Sequence, residues 1–503
     1  MATVRELEAI IDAADIGVIE AAMPKGGRPR QLPVRTLLLG ILLTLTDHRP
    51  CHLSRVHQAL LGLPESDKER LHVTHDMGQG VHALTYRQVE RTFSTLIATM
   101  DPTPVPSLGA LDEPQRRLRL GQARNGIDAE GSESRLVAFC DALTEASIPE
   151  DKKMISKSVA VDWTDHASWS RPSNPDTVAV DADAAWGHRK PNTPGAKHEA
   201  FFGYYGQAVT MVPDERKAPV PELIRRVVLH PCNVDPPSAL VATIRDMADK
   251  GILIGDVLAD CGYSHRLAER WATPLRRLGA RLVQDLHPHD RGMQGTHQGA
   301  ICCNGNLYCP ATPLSLLELG PLAPSARTEQ RAAHDRRSTE LARYKLGPLS
   351  AEDSEGYYRV GCPAALGKLR CPLKAASMNL DFDRPEVMDP PTALRRCCTQ
   401  ASITVGPSVN AKTRQKHDYP SAAHRLSYAR RTAAERSFST LKDPATTDVR
   451  RGWCRLFGRT KNLVMLVCAV VIRNLRVLAS FEKRVANNAL GPRRKRQRPE
   501  SLA

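Results

Sequence analysis

Apolar residues recur along this chain with two different periods, and the changes of period divide it. From residue 1 to about 100 the spacing is helical. Pro33–Leu45 (PVRTLLLGILLTL) and Leu53–Leu63 (LSRVHQALLGL) are apolar helix candidates, and Tyr86–Met100 (YRQVERTFSTLIATM) is amphipathic. A basic, flexible lead, Gly26–Gln31 (GGRPRQ), enters the first of them. This segment is expected to form a helical domain that binds DNA or, more plainly, one that only packs on the rest. Residues 101–155 turn polar and proline-rich, which predicts a linker with one helix near Leu136–Glu145.

Strand-like runs follow. Lys157–Thr164, Phe201–Val212 and Arg226–His230 are β-branched or aromatic, and a helix is expected over Ser238–Lys250. Ile252–Ala259 predicts another strand, His265–Leu278 a helix and Ala280–Leu286 a strand. Strands alternating with helices after an initial meander indicate an α/β core with a mixed sheet, its first part at 156–286. The pattern lapses over 287–400, a stretch rich in Gly, Pro and Cys with one helix at Glu329–Tyr344, and this reads as an insertion. A second part at 401–485 would add a strand at Ser402–Val405, a helix over Tyr428–Lys442 and a long amphipathic helix at Asn462–Phe481. Residues 486–503 read as a disordered basic tail.

Length and charge narrow the partners. At 503 residues the chain has room for two or three units. Lys plus Arg number 70 against 55 for Asp plus Glu, a net +15. Lys412–Lys461 alone holds thirteen Lys/Arg and four Asp/Glu, a density that suits a polyanion such as DNA. The start, MATVRELEAI, lacks the basic lead and apolar core of an export signal. Leu37–Leu45 is short of the roughly 20 residues a membrane span needs, and Leu463–Ile472 stops at Arg473. Thirteen cysteines in a long chain without an export signal do not read as a disulfide framework. A bacterial cytoplasmic location is expected.

The chemistry gathers on Tyr428–Lys442 (YARRTAAERSFSTLK). Tyr428, Arg431, Glu435 and Lys442 stand at offsets that fall within about 60° on a helix, a stripe too polar to pack a core. It suits an anion held by cations, with one carboxylate among them. With these residues in view the chain resembles a DDE transposase of a bacterial insertion sequence, with a ribonuclease-H-like catalytic core. More narrowly, it is similar to the group whose third acid lies in Tyr-x2-Arg-x3-Glu-x6-Lys, which Tyr428, Arg431, Glu435 and Lys442 match at every spacing. The resemblance implies a first acid ending the first strand, Asp162 in VAVDWTDH, and a second after the fourth strand, Asp260 in LADCGY. It further implies hydrolysis at transposon ends, attack of the freed 3′-hydroxyl on target DNA, and at least a homodimer to bring two ends together.

Three gathered carboxylates repel one another unless cations are bound. Two Mg²⁺ ions, with Mn²⁺ as a substitute, activate water and stabilise a departing alkoxide. Asp162, Asp260 and Glu435 are therefore the expected catalytic metal ligands, with Tyr428, Arg431 and Lys442 on the DNA. Asp165, Asp181, Asp183 and Asp256 are rival acids nearby, and Asp285-x-His287-x-His289-Asp290 offers a second, weaker metal motif. Seven of the thirteen cysteines fall in the insertion, which suggests structural Zn²⁺ on four of Cys303, Cys309, Cys362, Cys371 and Cys397 or Cys398. Two readings stay open beside the transposase: a catalytically inactive DNA-binding derivative, and a metal-dependent nuclease without strand transfer.

Overall fold

The computed structural model describes residues 3–25, 31–76, 81–170, 172, 178–189 and 199–487. The basic lead at 26–30 and the tail from 488 onward lie outside the described residues. The chain forms two compact units: residues 1–156, 163–236 and 433–503 in the first, and residues 157–162 and 237–432 in the second. The first unit thus takes in the segments read as helical domain and linker. Its boundaries fall inside one strand and just inside the start of two helices, Pro236–Asp249 and Thr432–Lys442.

The first unit is built on a long helix, Arg459–Ala486, in which every residue from Leu463 to Ile472 is buried. These side chains share one apolar core with Leu38 and Ile41 of Val34–Thr46, Phe139 of Ala129–Ala146, and Tyr204, Ala208 and Leu229 from strands. The helix runs 28 residues, enclosing the expected Asn462–Phe481, and is long and apolar enough to cross a membrane. However, 72% of its most apolar window is buried inside the protein, as in a core helix. Arg473 is tolerated there because its guanidinium donates to the Glu222 carbonyl and, at 3.0 Å, to Ser437 Oγ. Besides a short antiparallel pair, Thr74–Asp76 with Val81–Ala83, this unit holds the second half of β1 (Ser158–Ala167), β2 (Ala185–Arg189), β3 (Glu199–Val212) and β4 (Ile224–Pro231). β3 pairs antiparallel with β2 and with β4, and beyond the end of β1 the Ser168 amide donates to Phe202 O at 3.0 Å. A Cβ on Gly203 would lie 2.3 Å from His166 O, so this close approach requires glycine.

In the second unit the first half of β1 pairs parallel with β5 (Asp256–Ala259), and β5 pairs parallel with β6 (Arg281–Gln284). The helix Pro236–Asp249 precedes β5. Parallel and antiparallel pairs together make the protein mixed α/β. The helix expected at His265–Leu278 is instead broken into Cys261–Ser264, a 3₁₀ turn at Ala268–Arg270 and Ala272–Arg277. Pro274, lacking an amide N–H, fits only the first turn of a helix, and that sets the restart at Ala272.

Apart from the 16-residue helix Thr328–Arg343, close to the one expected at Glu329–Tyr344, the inserted region is made of short pieces. β7 (Met293–His297), β8 (Ala300–Cys303) and β9 (Asn306–Tyr308) form one antiparallel sheet. β10 (Gly347–Pro348), β11 (Tyr358–Gly361) and β12 (Ile403–Val405) form another. The strand expected at Ser402–Val405 exists as β12, but it completes this small sheet rather than the α/β core.

Candidate functional site

β1 and β5 run parallel with Val159 opposite Val257 and Ala160 opposite Leu258, a constant offset of 98 residues. Continuing that register two residues brings Asp162 level with Asp260, since 260 − 162 is also 98. Asp162 does not end its strand, as the resemblance implied. β1 continues to Ala167, and Asp162 sits just past the stretch paired with β5. Asp260 does follow its strand and caps the turn Cys261–Ser264, its Oδ1 accepting from the Gly262 amide at 2.9 Å. That leaves Oδ2 toward Arg431, whose Nη2 lies 3.5 Å from it and 3.3 Å from Asp162 Oδ1. Arg431 and Asp162 are largely covered and Asp260 is half-buried, so this three-group cluster is only partly screened by solvent. Tyr263 is fully buried beside it; burial first, and then the charges of Asp162 and Asp260, push its hydroxyl pKa well up.

A third aspartate belongs to the same edge. β5 and β6 pair with an offset of 25, so the residue after Ala259–Gln284 is Asp260 level with Asp285. Asp285 Oδ1 accepts from Tyr419 Oη at 2.7 Å, and Arg291 Nη2 lies 3.3 Å from both oxygens. By sequence pattern Asp285 is only the start of Asp-x-His-x-His. Its position one residue past a strand, like that of Asp260, was the missed signal. The remainder of that motif forms a separate cluster in which ligand atoms of His265, His287 and Asp290 lie within 4.8 Å of one another. His289 is not in that group; His265, contributed from the segment after β5, stacks on His287 at 3.8 Å. Lys412 Nζ donates to Asp290 at 2.7 Å and competes there with any cation.

The four-residue stripe is not one α-helix. Ala422–Tyr428 passes through a 3₁₀ turn, Ala429–Arg431, before Thr432–Lys442 resumes, and this shifts the angular register. Arg430 holds the turn by donating to the Ser427 carbonyl (3.0 Å) and to Asp256 (2.8 Å). Tyr428 stacks on His424 at 5.6 Å, and burial pushes its hydroxyl pKa up. Its ring is thus engaged within the protein. Glu435 is exposed in the first turn of Thr432–Lys442, in the first unit. Lys442, also in the first unit, donates to Thr164 Oγ1 at 2.6 Å and Asp165 Oδ1 at 3.0 Å. Within the second unit, then, Asp162, Asp260 and Arg431 come together.

The rival acids have other work. Asp256, fully buried at the start of β5, meets Lys416 and Arg430 at 2.8 Å and Arg281 at 3.0 Å. Burial pulls its carboxyl toward protonation, but hydrogen bonds from Lys416 and Arg430 outweigh that and hold it below the usual range. Asp181, fully buried, accepts from Tyr204 Oη (2.7 Å), Ser168 Oγ (2.6 Å) and the Gly458 amide (2.9 Å). Asp183 takes Arg124 at 2.6 Å and the Arg459 amide at 3.0 Å. Asp165 is shared by Lys442 and Arg189. These are structural ties of their own units.

All thirteen cysteines are free thiols. Cys309, Cys362, Cys371 and Cys398 line one small cavity of about 10 Å³ in the second unit. Two of the expected cysteines fall elsewhere. The Cys303 thiol donates to Leu317 O at 3.3 Å, and Cys397 lies behind Cys398 with 4.0 Å between sulfurs. A larger cleft of about 660 Å³, lined by Arg276, Arg281, Arg414 and Glu352, contains none of the expected catalytic residues. No model of a known protein family matches the chain, and no curated protein is similar enough to match it.

Proposed function

We propose that this chain is a DNA transposase, cutting at transposon ends and joining the freed 3′-hydroxyl to target DNA from a ribonuclease-H-like core. Asp162, Asp260 and Glu435 are its metal-binding acids, and the protein works in the cytoplasm as a dimer or larger assembly. The observation that carries the reading is the parallel register that levels Asp162 with Asp260, together with the one guanidinium that reaches both. Glu435 enters through the Tyr-x2-Arg-x3-Glu-x6-Lys signature.

The donor set fits Mg²⁺, because adjacent carboxylates offer the hard oxygens it prefers. Bound there, Mg²⁺ supplies an activated water and charge for the departing oxygen. Arg431 sets one positive charge between the two aspartates, 3.3 Å from Asp162 and 3.5 Å from Asp260. A planar arginine fork is the geometry that suits phosphate oxygens. The Lys/Arg of 412–461 provide sequence-independent affinity that falls with salt.

Duplexes from the DNA flanking the coding sequence, labelled at one strand, provide the test. With Mg²⁺ the protein should nick or cut at a defined end and join that end to a second DNA, and EDTA should stop both. Cutting without joining would make it a nuclease. Salt-sensitive binding without cutting would make it an inactive derivative.

A further inference from the structure

We propose that Cys309, Cys362, Cys371 and Cys398 form a tetrathiolate Zn²⁺ site that staples the inserted region. The four come from separate segments: the residue after β9, the residue after β11, a turn, and the short helix Arg396–Thr399. They nevertheless line one cavity whose other walls include Ala311, Ala364, Leu369 and Leu373.

Three of the four are Cys-Pro steps (Cys309-Pro310, Cys362-Pro363, Cys371-Pro372), and each opens a turn. The Cys309 carbonyl accepts from the Thr312 amide at 3.0 Å, that of Cys362 from Leu366 at 3.1 Å, and that of Cys371 from Lys374 at 2.9 Å. Such turns swing later amides onto the sulfur. The Ala311 N–H faces the Cys309 sulfur and the Leu373 N–H faces the Cys371 sulfur. Amide donors aimed at sulfur favour a thiolate acceptor, which a buried, apolar wall by itself disfavours. A divalent ion resolves that conflict, and Lys374 on the cavity wall offsets part of the remaining negative charge.

Soft sulfur donors select Zn²⁺ over Mg²⁺, and four protein ligands with no carboxylate on the wall describe a closed, structural site. The region needs such a staple, since its strands include β10 with two residues and β9 with three. Zn–S bonds of about 2.3 Å place sulfurs about 3.8 Å apart. Among the described residues the side chains already gathered closely enough to hold an ion are His265, His287 and Asp290 rather than these four thiols, so ion binding draws the turns inward.

The full chain, purified without chelator, should carry one zinc per molecule by elemental analysis. Replacing it with Co²⁺ should give intense thiolate-to-cobalt absorption with tetrahedral ligand-field bands. Cys371→Ser should lose that spectrum, while Cys303→Ser and His287→Ala should keep it. If Cys371→Ser does not fold, the wild-type Co²⁺ spectrum still decides. Wild type without zinc and without thiolate absorption, a spectrum that survives Cys371→Ser, or one lost in His287→Ala would each overturn the site.

Discussion

Asp162 and Asp260 are separated by 98 residues, the same offset that pairs β1 with β5, and the Arg431 guanidinium lies 3.3 and 3.5 Å from them. Chain register, rather than loop geometry, therefore aligns the two carboxylates.

Arg431→Gln removes from these carboxylates the positive charge that lies 3.3 and 3.5 Å from them. Thermal stability without divalent ions should fall by about 1–3 kcal/mol. Millimolar Mg²⁺ should restore part of that loss while changing the wild type little. Melting curves with and without Mg²⁺ check this, and a variant indifferent to Mg²⁺ would argue against a cation site on Asp162 and Asp260.

Asp256→Asn removes the negative centre from a group of three cations, two of them largely covered. Breaking such a buried pair costs about 3–5 kcal/mol. The loss should appear in denaturant midpoints, whereas substitution of the exposed Glu435 should leave midpoints nearly unchanged.

Burial pushes His166 and His424 down to about 4 from an ordinary 6.5. An unfolded chain takes up protons at these imidazoles below 6.5, while the folded chain does so only near 4. Stability from this source is fully present above 6.5 and drains as pH falls toward 4. Each histidine contributes up to ~3 kcal/mol across that window. Urea midpoints at neutral and acid pH should show the fall, and His424→Asn should flatten it. An unchanged slope in that variant would assign the pH dependence elsewhere.

The sequence showed most of the core strands because their burial is written in β-branched and aromatic runs. Phe201–Val212 lies within two residues of β3, and Arg226–His230 falls inside β4. β2 was missed because AWGHR has one buried residue and no alternation. The 3₁₀ turn at Ala429–Arg431 was invisible for another reason: Arg430 is drawn to Asp256, 174 residues away in sequence. A remote partner also explains how Arg473 can be buried in the helix expected over Asn462–Phe481, since its guanidinium is met by the Glu222 carbonyl. At the candidate site Arg431 stands in the spaced Tyr-Arg-Glu-Lys signature, while Asp162 and Asp260 were named from what the resemblance implies about the acids' places. Asp285 was not, because its alignment with Asp260 depends on strand register. Nor does composition decide between neighbouring thiols such as Cys397 and Cys398, since that depends on which way each side chain points.

The central claim is that these acids cut DNA, and Asp260→Asn and Glu435→Gln test it most directly. Each keeps the size of the side chain and removes one negative metal ligand from a basic protein. End binding in EDTA, measured by gel shift, should therefore hold or tighten slightly, because affinity comes from Lys and Arg on phosphates. Cleavage of labelled ends in Mg²⁺ should drop by orders of magnitude in both variants, through weakened metal binding. Wild-type cleavage rates in either variant, on protein that binds the same ends, would contradict the account.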